Sequence, residues 1–137
     1  MAAVTGCGTT DDSEPEPDPL LAQAARARTD ASTATALIAA SPDLAAPLTT
    51  ISSERTAHAD ALDAEVARVA GTTTNDTPSP TTTAPAAEAP TVELLRERLT
   101  QSQRSAADVG RTLQGFRAGM LASISAACAV QTAVLLP

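Results

Sequence analysis

The sequence predicts an all-α protein, an antiparallel bundle of three to four helices. Apolar residues recur at spacings of four and three through 42–70 and again through 91–136, the period of a helix with one buried face. Alanine dominates these stretches, and it is the strongest helix former. Between 91 and 136 there is no proline. At 137 residues one domain is the natural size, with a core large enough to fold alone.

Residues 1–19 precede the bundle. Val4-Thr5-Gly6-Cys7 is followed by an acidic, proline-rich run from Asp11 to Pro19. The four residues resemble a bacterial lipobox, in which an aliphatic and two small residues present a narrow backbone to the signal peptidase. That resemblance implies Cys7 as the lipidated first residue of the mature protein. The run behind it cannot bury apolar surface and reads as a flexible, extended tether. A secretory signal needs a basic start and about 7 to 15 apolar residues before its cleavage site, whereas only Met1-Ala2-Ala3 stand before Val4. The lipidated reading therefore puts the true start upstream of Met1 and the protein on the outer face of the cytoplasmic membrane. Otherwise the protein is cytoplasmic and residues 4–7 match by coincidence.

The domain proper is 20–137. Helix one, 20–40, has no internal Gly or Pro, and its large apolar residues stand at its ends, Leu20 and Leu21 against Leu37 and Ile38. Its middle must then pack through alanine. Ser41-Pro42-Asp43 reads as an N-cap, a proline at the first helical position and an acid at the positive end of the helix dipole. Helix two spans 42–70, although Pro47 could delay its regular start. Its seam is Leu44, Leu48, Ile51, Arg55, His58, Leu62, Glu65 and Val69, a heptad pattern. Gly71 ends it. The segment 71–90, GTTTNDTPSPTTTAPAAEAP, has no apolar period and is an exposed Thr/Pro linker.

From Thr91 the seam runs Val92, Leu95, Leu99, Ser102, Ala106, Val109, Leu113, Phe116, Met120, Ala127. Unbroken, this helix would be about 65 to 70 Å long, against about 35 to 40 Å for a compact chain of this size. A break near 110–115 is expected, with Gly110 and Gly115 as candidates. The stretch 118–136 is uncharged and long enough to cross a membrane. Its alanine content, its polar Ser123, Ser125, Gln131 and Thr132, and the absence of a following basic anchor favour a buried bundle helix.

Composition excludes some functions. The chain has 9 Lys+Arg, all arginine, against 16 acids, a net charge of -7, and one aromatic residue. Nucleic acid is not an expected partner, because phosphate neutralisation and base stacking both lack their residues. No G-x-S-x-G elbow or glycine-rich phosphate loop is present, and His58 is the only imidazole, so no catalytic residue is assigned and no enzyme is expected. Cys128 reads as a small buried thiol, with a disulfide to Cys7 open only if Cys7 carries no lipid.

Glu54-Arg55-Thr56-Ala57-His58-Ala59-Asp60-Ala61-Leu62 and the run Gly115 to Cys128 resemble the alanine-rich actinobacterial lipoproteins with a ferritin-like helical bundle. The resemblance implies an envelope location and brings no reaction. It raises the question of metal. A di-iron carboxylate bundle uses two Glu-x-x-His pairs and a Glu from each remaining helix. This chain has a single His, and helix one offers only Asp30. Glu54, His58 and Glu65 are the residues a metal would recruit; of Glu93, Glu97 and Asp108, which the last helices could offer, Glu93 and Glu97 flank the apolar seam rather than occupy it. No metal site and no cofactor is assigned, and Glu54, Arg55 and His58 are expected to form a polar cluster that satisfies itself.

The leading expectation is a membrane-anchored, extracytoplasmic helical-bundle binding or scaffold module. Its partners would be the membrane, through lipid on Cys7, and an envelope protein or lipid. The alternatives are a ferritin-like metal-binding protein built on Glu54 and His58, and a soluble cytosolic helical protein. The alanine faces could equally pair copies into a homo-oligomer.

Overall fold

A computed structural model describes residues 15–71 and 89–137. Asp18 starts the first helix: its carboxylate accepts the Leu20 N–H at 3.0 Å, and Pro19 takes the first position, where a missing N–H costs nothing. Helix α1 runs Pro19–Ala40. It closes with the Ser41 N–H donating to the Leu37 carbonyl at 2.9 Å.

Ser41 does not cap the next helix through its side chain, contrary to the sequence reading. A 3₁₀ turn, Pro42–Leu44, comes first, and α2 spans Ala45–Ala70. Pro47 does not delay α2. It lies in the first turn, where a backbone N–H would have no intrahelical acceptor. Gly71 ends α2 in the left-handed region at φ 69°, the usual glycine stop.

Helix α3, Val92–Thr112, starts on Thr91, whose hydroxyl accepts the Leu94 N–H at 3.1 Å. The expected break follows. Leu113 and Gln114 are extended, Gly115 takes φ 61°, and α4 runs Gly115–Val130 before a π-helical turn, Gln131–Leu135. Gly110 has a different task. It stays inside α3, and a Cβ there would lie 3.4 Å from the Leu121 Cβ, so its bare backbone lets α4 approach.

Two apolar clusters fix the helix directions. Leu20 and Ala24 of α1 meet Leu62 of α2, Ala106 of α3, and Leu121, Ile124 and Cys128 of α4. At the opposite end Ala34 and Leu37 meet Leu48 and Ile51, Leu95 and Leu99, and Leu136. The order is therefore up, down, down, up. Sequence neighbours α1 and α2 are antiparallel, as are α3 and α4, and the chain leaves α2 at one end and enters α3 at the other. The all-α bundle predicted by periodicity is the observed fold, with four α-helices among the described residues.

Alanine builds the interior of α1 as expected: Ala24, Ala27, Ala31 and Ala34 are buried. The seams of the other helices depart from expectation in two places. Val69 is 56% exposed, because a helix rotates about 20° per heptad against a strict seven-residue repeat. Phe116 is 67% exposed. The extended pair before Gly115 resets the phase, and the seam resumes as Leu121, Ile124, Cys128 and Gln131. Gly115–Leu135 is long and apolar enough to cross a membrane by length and composition. Here it packs as the fourth bundle helix but is not buried all round, since Val130 and Val134 also face outward.

Candidate functional site

Between the two apolar clusters lies a polar layer built by α1, α2 and α3. Asp30, on the inward face of α1, is 2% exposed, and Arg55, on the seam of α2, is 1% exposed. Arg55 donates to Asp30 Oδ2 from Nε at 3.1 Å and from Nη2 at 2.9 Å. Ser102 of α3 donates to the same oxygen at 2.7 Å. A carboxylate buried this deeply is tolerable only with such partners.

The third arm of Arg55 reaches His58, Nη1 to Nδ1 at 3.2 Å. A guanidinium can only donate, so Nδ1 must be the lone-pair nitrogen and the proton sits on Nε2. Burial holds the His58 pKa below its ordinary value, the Arg55 charge adds to that, and Glu54 opposes it. His58 is therefore neutral at pH 7. The unfolded chain binds a proton near pH 6.5 that the folded chain refuses, so stability is full above that pH and falls as pH drops toward the lower folded value. The urea midpoint should be lower at pH 5.5 than at pH 7, and the single imidazole should titrate below 6.5 by NMR. A titration above 6.5 would contradict the Arg55 contact.

Glu54 turns elsewhere, accepting a hydrogen bond from the amide of Gln131, in the π-helical turn after α4, at 2.7 Å. Gln131 is fully buried and its Oε1 has no hydrogen-bond partner. Glu65 takes two bonds from Arg68, at 2.7 and 2.8 Å, and Arg117 Nε lies 3.3 Å away in ion contact without hydrogen-bond geometry. The Arg68 hydrogen bonds lower the Glu65 pKa against its burial. Arg117 also pairs with Asp18. Burial works against ionisation of Asp18, but the Arg117 hydrogen bond and the Leu20 N–H outweigh it and leave that carboxyl below its usual range.

The three metal candidates thus go to three different partners: Glu54 to Gln131, His58 to Arg55, and Glu65 to Arg68. The structure brings Arg55 and His58 together and adds Asp30 and Ser102, while Glu54 faces outward from the same turn. Among the described residues no group of three or more His, Cys, Asp or Glu side chains could hold a metal ion. Of the acids flanking the last helices, Asp108 pairs with Arg111, and Glu93 and Glu97 stay on the exposed face. Cys128 is buried and free, and burial pushes its thiol up to about 11, far from a reactive thiolate. Cys7, the lipidation candidate, lies outside the described residues.

Two openings reach the surface near these groups. A cleft of about 270 Å³ between α1 and α3 leads to Asp30 and Ser102 past Arg26 and Arg98. A shallower groove of about 590 Å³ runs between α3 and α4, lined by Ala107, Gly110, Ala118, Gly119, Ala122 and Ala126 among others. The groups of the polar layer are engaged with one another: the Arg55 guanidinium with Asp30 and His58, and Asp30 Oδ2 with Arg55 and Ser102.

Sequence reasoning missed Asp30 as the partner of Arg55. The signal was present: Asp30 falls in phase with Leu20, Ala27, Ala34 and Leu37, so an acid stood on a buried face and needed a base. Gln131 was read only as an interruption, because the break that sets its phase could not be placed. Compared as a whole, the chain matches no family model, no curated protein and no solved structure.

Proposed function

We propose that this chain is a lipid-anchored, extracytoplasmic helical-bundle module of the cell envelope, which binds a partner rather than catalysing a reaction. The observation that carries this reading is the run Val4-Thr5-Gly6-Cys7 ahead of an acidic, proline-rich segment that ends where Asp18 starts α1 and pairs with Arg117 of α4. A tether needs one end on an anchor and the other fixed to a rigid body, and Asp18 supplies the second.

The helix order supports the likeness to ferritin-like bundles, which have one long crossover connection. Where such bundles set carboxylates and histidines around a metal, this chain sets the Arg55 guanidinium against Asp30. The positive charge at the centre is then covalently part of the protein. The apolar, small-residue groove between α3 and α4 is the surface by which the module takes its partner, since small side chains let a second helix or an acyl chain approach closely.

Intact mass spectrometry of the protein extracted with detergent from its own host tests the anchor. The expected mass begins at Cys7 and carries a diacylglycerol-sized addition. A mass that includes Met1 and no lipid would overturn the anchored reading.

A further inference from the structure

Among the described residues five large apolar side chains are exposed, and three of them, Leu21 at 44%, Val69 at 56% and Phe116 at 67%, belong to one end of the bundle. Leu21 is in the first turn of α1, Val69 in the last turn of α2 and Phe116 in the first turn of α4. The cluster of Leu20, Leu62 and Leu121 brings these three helix ends together, and the ion pairs of Asp18 and Glu65 with Arg117 tie them. We propose that this end is a membrane-docking surface, seated on a lipid bilayer through Leu21, Val69 and Phe116. The proposal rests on the reading of Cys7 as the anchor and deepens it by fixing which end faces the lipid.

The tether argues for a bilayer as occupant. Ten residues lie between Cys7 and Asp18, and the eleven steps from one to the other give a reach of about 34 Å if proline-rich and extended. Helix α1 has 22 residues, which is about 33 Å. A lipid on Cys7 therefore brings the Asp18 end to the bilayer with slack to spare, whereas the opposite end would require the tether to run the whole length of the bundle. A lipid on Cys7 anchors the chain but does not by itself orient the bundle; a second contact with the bilayer would. An apolar rim at the tether exit would be that contact.

The chain as a whole carries -7 and would be repelled by anionic headgroups. At this end Arg68, Arg111 and Arg117 pair with Glu65, Asp108 and Asp18 and Glu16 adds a further acid, so the contact proposed is apolar rather than electrostatic.

The test exploits a chain without tryptophan. Full-length protein carrying Phe116→Trp, or Val134→Trp at the other end as a comparison, is coupled through Cys7 to a maleimide phospholipid. The host vesicles contain phosphatidylglycerol and phosphatidylcholine with brominated acyl chains. Both positions are more than 60% exposed in the native chain, so neither substitution disturbs packing. The expected result is a blue shift and bromine quenching for the Phe116→Trp protein and a buffer-like spectrum for the Val134→Trp protein. Absence of quenching in both, or equal quenching in both, overturns the proposal. A concentration-dependent blue shift of Phe116→Trp without vesicles overturns it as well, by making a second copy the occupant. Because the lipid is attached chemically, the outcome does not depend on the native N-terminus, and the mass measurement fails or supports the anchor separately.

Discussion

Arg55→Met should cost about 3 to 5 kcal/mol, the penalty for removing one partner of a buried ion pair. Such a loss approaches the whole stability of many small domains, about 5 to 15 kcal/mol. The reason is Asp30. It is 2% exposed, and without Arg55 its carboxylate keeps only the Ser102 hydroxyl at 2.7 Å. Adding Asp30→Leu to Arg55→Met should recover most of the loss, since a buried pair exchanged for apolar side chains of similar size is often neutral or better. The measurement is urea unfolding followed by far-ultraviolet circular dichroism, as the chain has no Trp or Tyr for fluorescence. A single-variant loss under about 1 kcal/mol, the size of a surface ion pair, would mean that water reaches Asp30.

Leu62→Ala should cost about 2 to 5 kcal/mol, the range for deleting a large buried aliphatic side chain, with the upper half expected here. Leu62 is fully buried in the lower cluster, that of Leu20, Ala24, Ala106, Leu121, Ile124 and Cys128. Ala24, Ala106 and Cys128 are too short to swing into the cavity, and α3 and α4 are already at close approach beside Gly110. The void would therefore persist, and its cost rises with its volume. Val134→Ala is the natural comparison. At 65% exposure it should change stability by no more than about 0.5 kcal/mol. Equal effects at the two positions would show that the lower cluster is loosely packed.

Much of the bundle was legible because helical periodicity and stop signals are local. Leu48, Ile51, Leu62, Leu95 and Leu99 all face inward where their spacing put them, and Gly71 stops α2 as its residue type suggests. What escaped were features set by tertiary contact. Two glycines competed for the break in the last helix, and only packing distinguishes them: Gly110 sits against Leu121, while Gly115 has open space and a positive φ. Misplacing that phase puts Phe116 inside and makes Gln131 only a polar interruption of the last helix. Asp18 was read as part of a tether, whereas it caps α1 and holds Arg117. The candidate site was half visible, since Arg55 and His58 share one helix, but Asp30 and Ser102 come from elements 25 and 72 residues distant from their partners.

The up, down, down, up order has a kinetic consequence. Within each helical hairpin, α1 with α2 and α3 with α4, contacting residues are close in sequence, and local contacts form quickly. The clasp between Ser102 and Asp30 must instead close a loop of 72 residues, whose entropic cost comes before any reward. Two hairpins that assemble early and a polar clasp that engages last would make docking of the halves the slow step. The same order means that a cut between Gly71 and Thr91 would separate the chain into its two hairpins, which should reassociate when mixed.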